Sequence, residues 1–188
     1  MTELILDSLQ RRMAAMHSLY HQAVDTMAPE HVNHFEREGV LPIAFSLFHF
    51  TNMEDVSFMM ITGQSLIWND EWQQRVKVAV NDHGKHRTVG EMSSQRIGGY
   101  EAFKDYQRAV FERTESWLDA LNPTELTRIV IQRPFPDQIA STYSARVAGP
   151  DGIAVLDAIE CWIYQHGLRH MGEIELARGL VGLGGMTS

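Results

Sequence analysis

His166 and His170 stand four residues apart in the run Tyr164-Gln165-His166-Gly167-Leu168-Arg169-His170. On a helix, side chains at i and i+4 share a face, with Cβ atoms roughly 5–6 Å apart. Two imidazoles so placed can converge on one ion, because zinc–nitrogen bonds of about 2.0–2.1 Å suit two corners of a tetrahedron. A third ligand must then come from another helix. His49 is the one histidine on the apolar face of another long predicted helix. Three neutral donors leave a position open to water or substrate, as in catalytic rather than closed structural sites. The competing reading is three separate core or surface histidines. Three ionisable rings directed into one core favour a divalent metal.

The other six histidines read differently. His17 and His21 share the four-residue spacing, but lie about 100° round from the apolar stripe of their helix, and read as surface or interface residues. His31, His34, His83 and His86 fall in polar connections and read as solvated. No glutamate lies between His166 and His170, which excludes the H-E-x-x-H arrangement of zinc peptidases with its general base. Glu173, three residues beyond His170, is the candidate catalytic carboxylate. It could orient a ligand or accept a proton, or be a plain surface group. Glu54 and Asp55 turn away from His49 and read as solvated groups or as support behind the ligands. Cys161 is the only cysteine, so no intrachain disulfide can form. Ideal α-helical geometry sets it about 140° from His166, as a packing residue rather than a nucleophile.

The elements that must position these residues follow from periodicity. Leu6, Leu9, Met13, Met16, Tyr20, Val24 and Met27 recur at three- and four-residue steps, predicting a helix over 2–27. Pro29 suits its stop. Pro42 suits the start of a second helix, to about Ile61, with Phe45, His49, Met53, Val56 and Met60 on one face and Gly63 as its cap. A long connection over 64–98 carries Trp68, Trp72 and a short helical piece led by Asn69-Asp70. A third helix spans about 100–121, ended by Asn122-Pro123. The runs 128–132 and 138–146 could form a loose hairpin, limited by Pro134 and Pro136. Asp151 is placed to cap a fourth helix that runs to about Leu180, with Leu156, Ile159, Ile163, His166 and His170 on one stripe. The expectation is an all-α fold: one four-helix-bundle domain over 1–188, with long connections after helices two and three.

Composition narrows the function classes. Hydrophobic residues make up 44% of the 188, enough for a sizeable core. Net charge is −8, a poor basis for binding nucleic acid or anionic membranes, which need clustered Lys and Arg. No apolar run approaches the roughly 20 residues of a membrane helix. The first residues carry acids where a secretory leader carries bases. A cytoplasmic protein is expected, with a small-molecule substrate and neither nucleic acid nor membrane as partner.

Leu47-Phe48-His49-Phe50, the tryptophan-bearing connection and the late His166-x-x-x-His170 followed by Gly172 together resemble the DinB-like superfamily. The resemblance runs over nearly the whole chain. It implies a metal-binding four-helix bundle with one histidine ligand in helix two and two in helix four, here His49, His166 and His170. It also implies zinc or nickel as the metal and a homodimer. Members often carry Arg-Gly-Gln after the last histidine, where this chain has Met171-Gly172-Glu173; the roles of that arginine and glutamine do not carry over. Activities of the family include thiol-dependent transfer with low-molecular-weight thiols and metal-dependent hydrolysis. A metal lowers the pKa of bound water, and equally deprotonates a bound thiol. A metal-dependent hydrolase or S-transferase is therefore expected. The alternative is a non-enzymatic dimeric bundle with a structural metal or a small-ligand-binding role.

Overall fold

The computed structural model describes residues 2–187 and is mostly helical, with one two-stranded sheet among them. Helix α1 spans Thr2–Asp25 and is followed by the one-turn α2, Pro29–Val32. Pro29 does more than stop α1: it occupies the opening turn of α2, where its missing N–H goes unused. Helix α3, Ile43–Thr62, begins one residue after Pro42, which lies at the N-cap rather than in the first turn and makes no side-chain cap bond, and ends at Gly63, which takes the left-handed conformation (φ 76°). The long connection holds α4, Asp70–Val76, and α5, Val89–Ser93. Asn69 caps α4 by accepting from the Trp72 backbone N–H, as its sequence suggests. Helix α6 covers Tyr100–Ala120.

The second half departs from expectation. Strand β1, Ile129–Gln132, pairs antiparallel with β2, Gly152–Ala154, and not with residues 138–146. That stretch forms two short helices, α7 (Asp137–Ala140) and α8 (Tyr143–Val147). Asp151 does not cap the last helix, because 152–154 is taken up by the strand. Helix α9, Val155–Ala158, begins at Ala154, whose backbone N–H donates to Asp157. A π-helical turn over Ile159–Tyr164 then leads into α10, Gln165–Leu180.

Helix α3 is the centre of the molecule. It packs against α6 on one side and against α10 on another, while α1 lies against both α6 and α10. Leu47, Phe48, Phe50, Phe58, Glu54 and Asp55 are all buried. A helix covered on nearly every side needs no single apolar stripe. The face predicted as its core stripe is the less covered one: Met53 and Val56 are half-buried and Met60 is exposed. That face is the wall of a cavity.

Glu54 and Asp55, expected near solvent, are both fully buried. Asp55 accepts from the backbone N–H groups of Ile67 (3.0 Å) and Trp68 (2.8 Å), from the Tyr106 hydroxyl (3.1 Å) and from Arg113 (2.6 Å). One carboxylate thus ties the start of the long connection to α3 and α6. A buried charge is tolerable only when its lone pairs are matched in this way.

Gly167 sets how closely α10 approaches. A Cβ there would strike Met16 Sδ on α1 and the Phe50 ring on α3. The Tyr20 hydroxyl donates to the Gly167 carbonyl at 2.9 Å. The glycine between the two histidines is therefore a packing requirement that brings His166 and His170 up against α3. Gly167→Ala is expected to destabilise the protein by about 1–3 kcal/mol through overpacking. Urea denaturation followed by circular dichroism checks this; an unchanged midpoint would show that the helices can move apart freely.

Candidate metal centre

His49 projects from the middle of α3, and His166 and His170 from the first turns of α10. Their ring nitrogens converge. His166 Nε2 lies 3.2 Å from His49 Nε2 and 2.9 Å from His170 Nε2. Two nitrogens bound tetrahedrally at about 2.0–2.1 Å sit about 3.3 Å apart, so the spacing is that of donors around one small ion. Among the described residues this is the one group of three such side chains placed to hold a metal.

The outer nitrogens fix which lone pairs face inward. His49 Nδ1 meets the carbonyl oxygen of His83. A carbonyl only accepts, so Nδ1 carries the proton and Nε2 of the neutral ring is a bare lone pair. His170 Nδ1 lies 2.7 Å from a Glu173 carboxylate oxygen that also accepts from Ser46 at 2.9 Å. The His170 bond holds the Glu173 carboxyl below its ordinary pKa, against the opposing effect of burial. That carboxylate likewise accepts the proton of His170 Nδ1, leaving Nε2 bare. A proton on His166 Nε2 could serve only one of the two lone pairs facing it. A cation at the centre satisfies all three.

Burial also disfavours the charged forms of His49 and His166. Desolvation pushes His49 down to about 4 despite its bond to His83. Desolvation, with His170, His49 and Arg169 nearby, pushes His166 down to about 3. Neutral imidazoles are the form that binds metal.

A cavity of about 270 Å³ adjoins the cluster, with His49 and His166 in its wall. Helix α3 contributes Met53 and Met60, and the short helices α7 and α8 contribute Ile139 and Tyr143. Cys161 and Trp162 come from the π turn. The angular separation expected between Cys161 and His166 does not hold, although Cys161 is buried as a packing residue should be. The Gln165 N–H bonds to the Glu160 carbonyl, five residues back, so the turn holds more residues than an α turn. Cys161 and His166, about 140° apart on an ideal α-helix, line the same cavity. Burial pushes the Cys161 thiol up to about 11, which keeps it protonated at neutral pH.

Glu173 sits on the Nδ1 side of His170, away from the converging nitrogens, and is not part of the cavity wall. Its geometry is that of a group that orients the ring. The His83 carbonyl and Ser46 were not foreseen. A backbone acceptor carries no sequence signal, and Ser46 is marked only by lying one helical turn before His49.

No family model and no curated protein matches the chain. Its fold is similar to that of a solved structure described as the conserved protein of locus from Enterococcus faecalis. The TM-score is 0.66, at 15% identity over 92% of this chain and 96% of that one. The likeness is one of fold.

The remaining histidines stay apart from the cluster. His31 Nδ1 accepts from the Ala28 N–H at the start of α2, and His83 Nδ1 from the Lys85 N–H. His34 lies beside Glu36, and His21 sits edge-on to Phe111. His17 corrects the surface reading outright, being only 1% exposed. It stacks on Phe111 with ring centroids 4.0 Å apart and lies between Glu54 (3.1 Å) and Glu115 (2.7 Å). Burial opposes its charged form. The charge of Glu54 and the hydrogen bonds to Glu115 and Glu54 outweigh that, and raise it to about 9. His17 is thus an imidazolium joining α1, α3 and α6.

A pKa raised in the folded state stabilises the fold fully below the unfolded value, near 6.5, and ceases to do so as pH rises through about 9. The urea midpoint of the parent should therefore fall between pH 6.5 and 9.5. His17→Gln should be less stable at pH 6.5 and lose much of that slope. Parallel pH profiles for the two proteins would contradict a charged His17.

Proposed function

We propose that the chain is a metal-dependent enzyme built on a four-helix bundle of the DinB-like kind. The bundle is formed by α1, α3, α6 and the stretch from α9 to α10. His49, His166 and His170 are the ligands of one divalent ion, zinc or nickel. The observation that carries this is the convergence of three Nε2 atoms whose outer nitrogens are already engaged or free to hold the proton, beside a cavity that two of the three rings line.

A bound divalent ion would bring the pKa of a coordinated water or thiol towards neutrality, which supplies the nucleophile for hydrolysis or S-transfer. The protein's own part is positional. The His83 carbonyl fixes the His49 ring, and Ser46 holds the Glu173 carboxylate that fixes His170. Such outer hydrogen bonds orient ligands and raise their basicity. Met53, Met60 and Trp162 give the cavity an apolar wall that can hold the body of a small molecule and exclude water. The acid or base that serves the leaving group is not Glu173, which faces the other side of His170. A homodimer is part of the same proposal through the family resemblance alone, and a cytoplasmic location through the lone cysteine, which gives no disulfide framework.

Elemental analysis of purified, untagged protein should give about one zinc or nickel per chain. His49→Ala and His170→Ala should lose it while keeping the helical circular dichroism of the parent. Glu173→Gln should retain the metal but bind it about 10–100-fold more weakly. With the metal bound, turnover of an ester or amide panel without added thiol identifies a hydrolase, and turnover only with added thiol identifies a transferase. A parent that takes up neither zinc nor nickel refutes the site.

A further inference from the structure

The charge of the cavity wall runs against that of the chain. The protein has 24 acidic and 16 basic residues, yet the wall contains Lys85 and Arg169 and no Asp or Glu. Most of the other arginines and Lys104 are paired with carboxylates. Neither Lys85 nor Arg169 forms an ion pair among the described residues, where the pairs include Arg12–Glu160, Arg87–Asp82 and Arg113–Asp55. Unpaired cations over a low-dielectric wall concentrate a positive field in the opening.

Both cations are close in the chain to the histidines of the site and share the cavity wall with His49 and His166. Lys85 is two residues from His83, whose carbonyl holds His49. Arg169 immediately precedes His170, and its charge reaches both His166 and Cys161. Met53, Met60, Ile139 and Trp162 give an apolar body surface to pack against, beside polar but uncharged groups such as Ser57, Gln138 and Thr142. At about 270 Å³ the space suits a small molecule rather than a peptide or nucleotide chain.

We propose that the cavity binds a small carboxylate with an apolar body, its charge held by Arg169 and Lys85 beside the three histidines and its body against Met53, Met60 and Trp162. This deepens the proposed enzyme function by naming a substrate class, and rests on that reading for the chemistry but not for the charge preference. Arginine offers a planar fork that matches a carboxylate in two-point fashion, and the flexible lysine adds a point charge from the facing loop.

The test uses full-length protein, both metal-free and zinc-loaded, and isothermal titration calorimetry at low ionic strength. The probes are phenylacetate, 3-phenylpropionate and hexanoate, each beside its neutral amide. The acids should bind about tenfold more tightly than the amides in both protein forms, with the gap closing in 0.5 M salt. Arg169→Gln and Lys85→Gln should each weaken acid binding about three- to fivefold and leave amide binding unchanged. The double variant should show no preference. Equal binding of acids and amides, or no saturable binding of any probe, overturns the proposal. So does a preference that survives the double variant or exists only with zinc present, since the metal alone would then hold the carboxylate. Zinc content measured on the same samples separates the two readings. A chain without metal that keeps the preference refutes the metal centre alone, and a zinc-bearing chain without the preference refutes the anion site alone.

Discussion

Three imidazole nitrogens within 4.8 Å of one another, that of His166 about 3 Å from each of the other two, form an arrangement that proton sharing cannot satisfy and a cation can. The rest of the structure can be followed outward from that constraint. The lone pairs face inward because the His83 carbonyl and the Glu173 carboxylate occupy the opposite ring nitrogens. Those partners are in place because the long connection returns over α3 and because Ser46 anchors Glu173. The rings meet at all because Gly167 lets α10 come within reach of Met16 and Phe50.

Helix α3 carries opposite tasks on its two sides. Away from the cavity, Asp55 ties down the connection that contains Trp68, and Glu54 engages His17. Towards the cavity, His49 presents a bare nitrogen among Met53, Met60 and Trp162. On the first side Asp55 is matched by four donors, and Glu54 meets His17 through one oxygen, its Oε1 having no partner among the described residues. On the second side desolvation keeps an uncharged donor. A rigid, well-anchored helix is a better mount for a ligand than a loop would be, since ligand geometry is controlled by packing behind it.

Much of this was legible in the sequence. The long helices, Gly63 and Asn69 as caps and the convergence of His49, His166 and His170 all follow from local rules, because helical periodicity maps residue spacing directly onto faces. What escaped was set by other means. His17 looked exposed because its burial depends on Glu54 and Glu115, acids from two other helices that balance its charge. Cys161 looked remote from His166 because one extra residue per turn in Ile159–Tyr164 changes the phase of the helix, and nothing in its composition announces a π turn. The stripe through Met53 and Met60 gives no sign of lining a cavity, since an apolar cavity wall and an apolar core use the same residues. The back of that cavity comes from two short helices in a proline-bounded stretch that could equally have been strands.

If three histidine nitrogens and no carboxylate hold the ion, zinc K-edge X-ray absorption of the zinc-loaded protein should show three imidazole nitrogens at about 2.0–2.1 Å with one further light atom, and at least one imidazole fewer in His49→Ala. A shell dominated by carboxylate oxygens, or one identical in the parent and in His49→Ala, would contradict it.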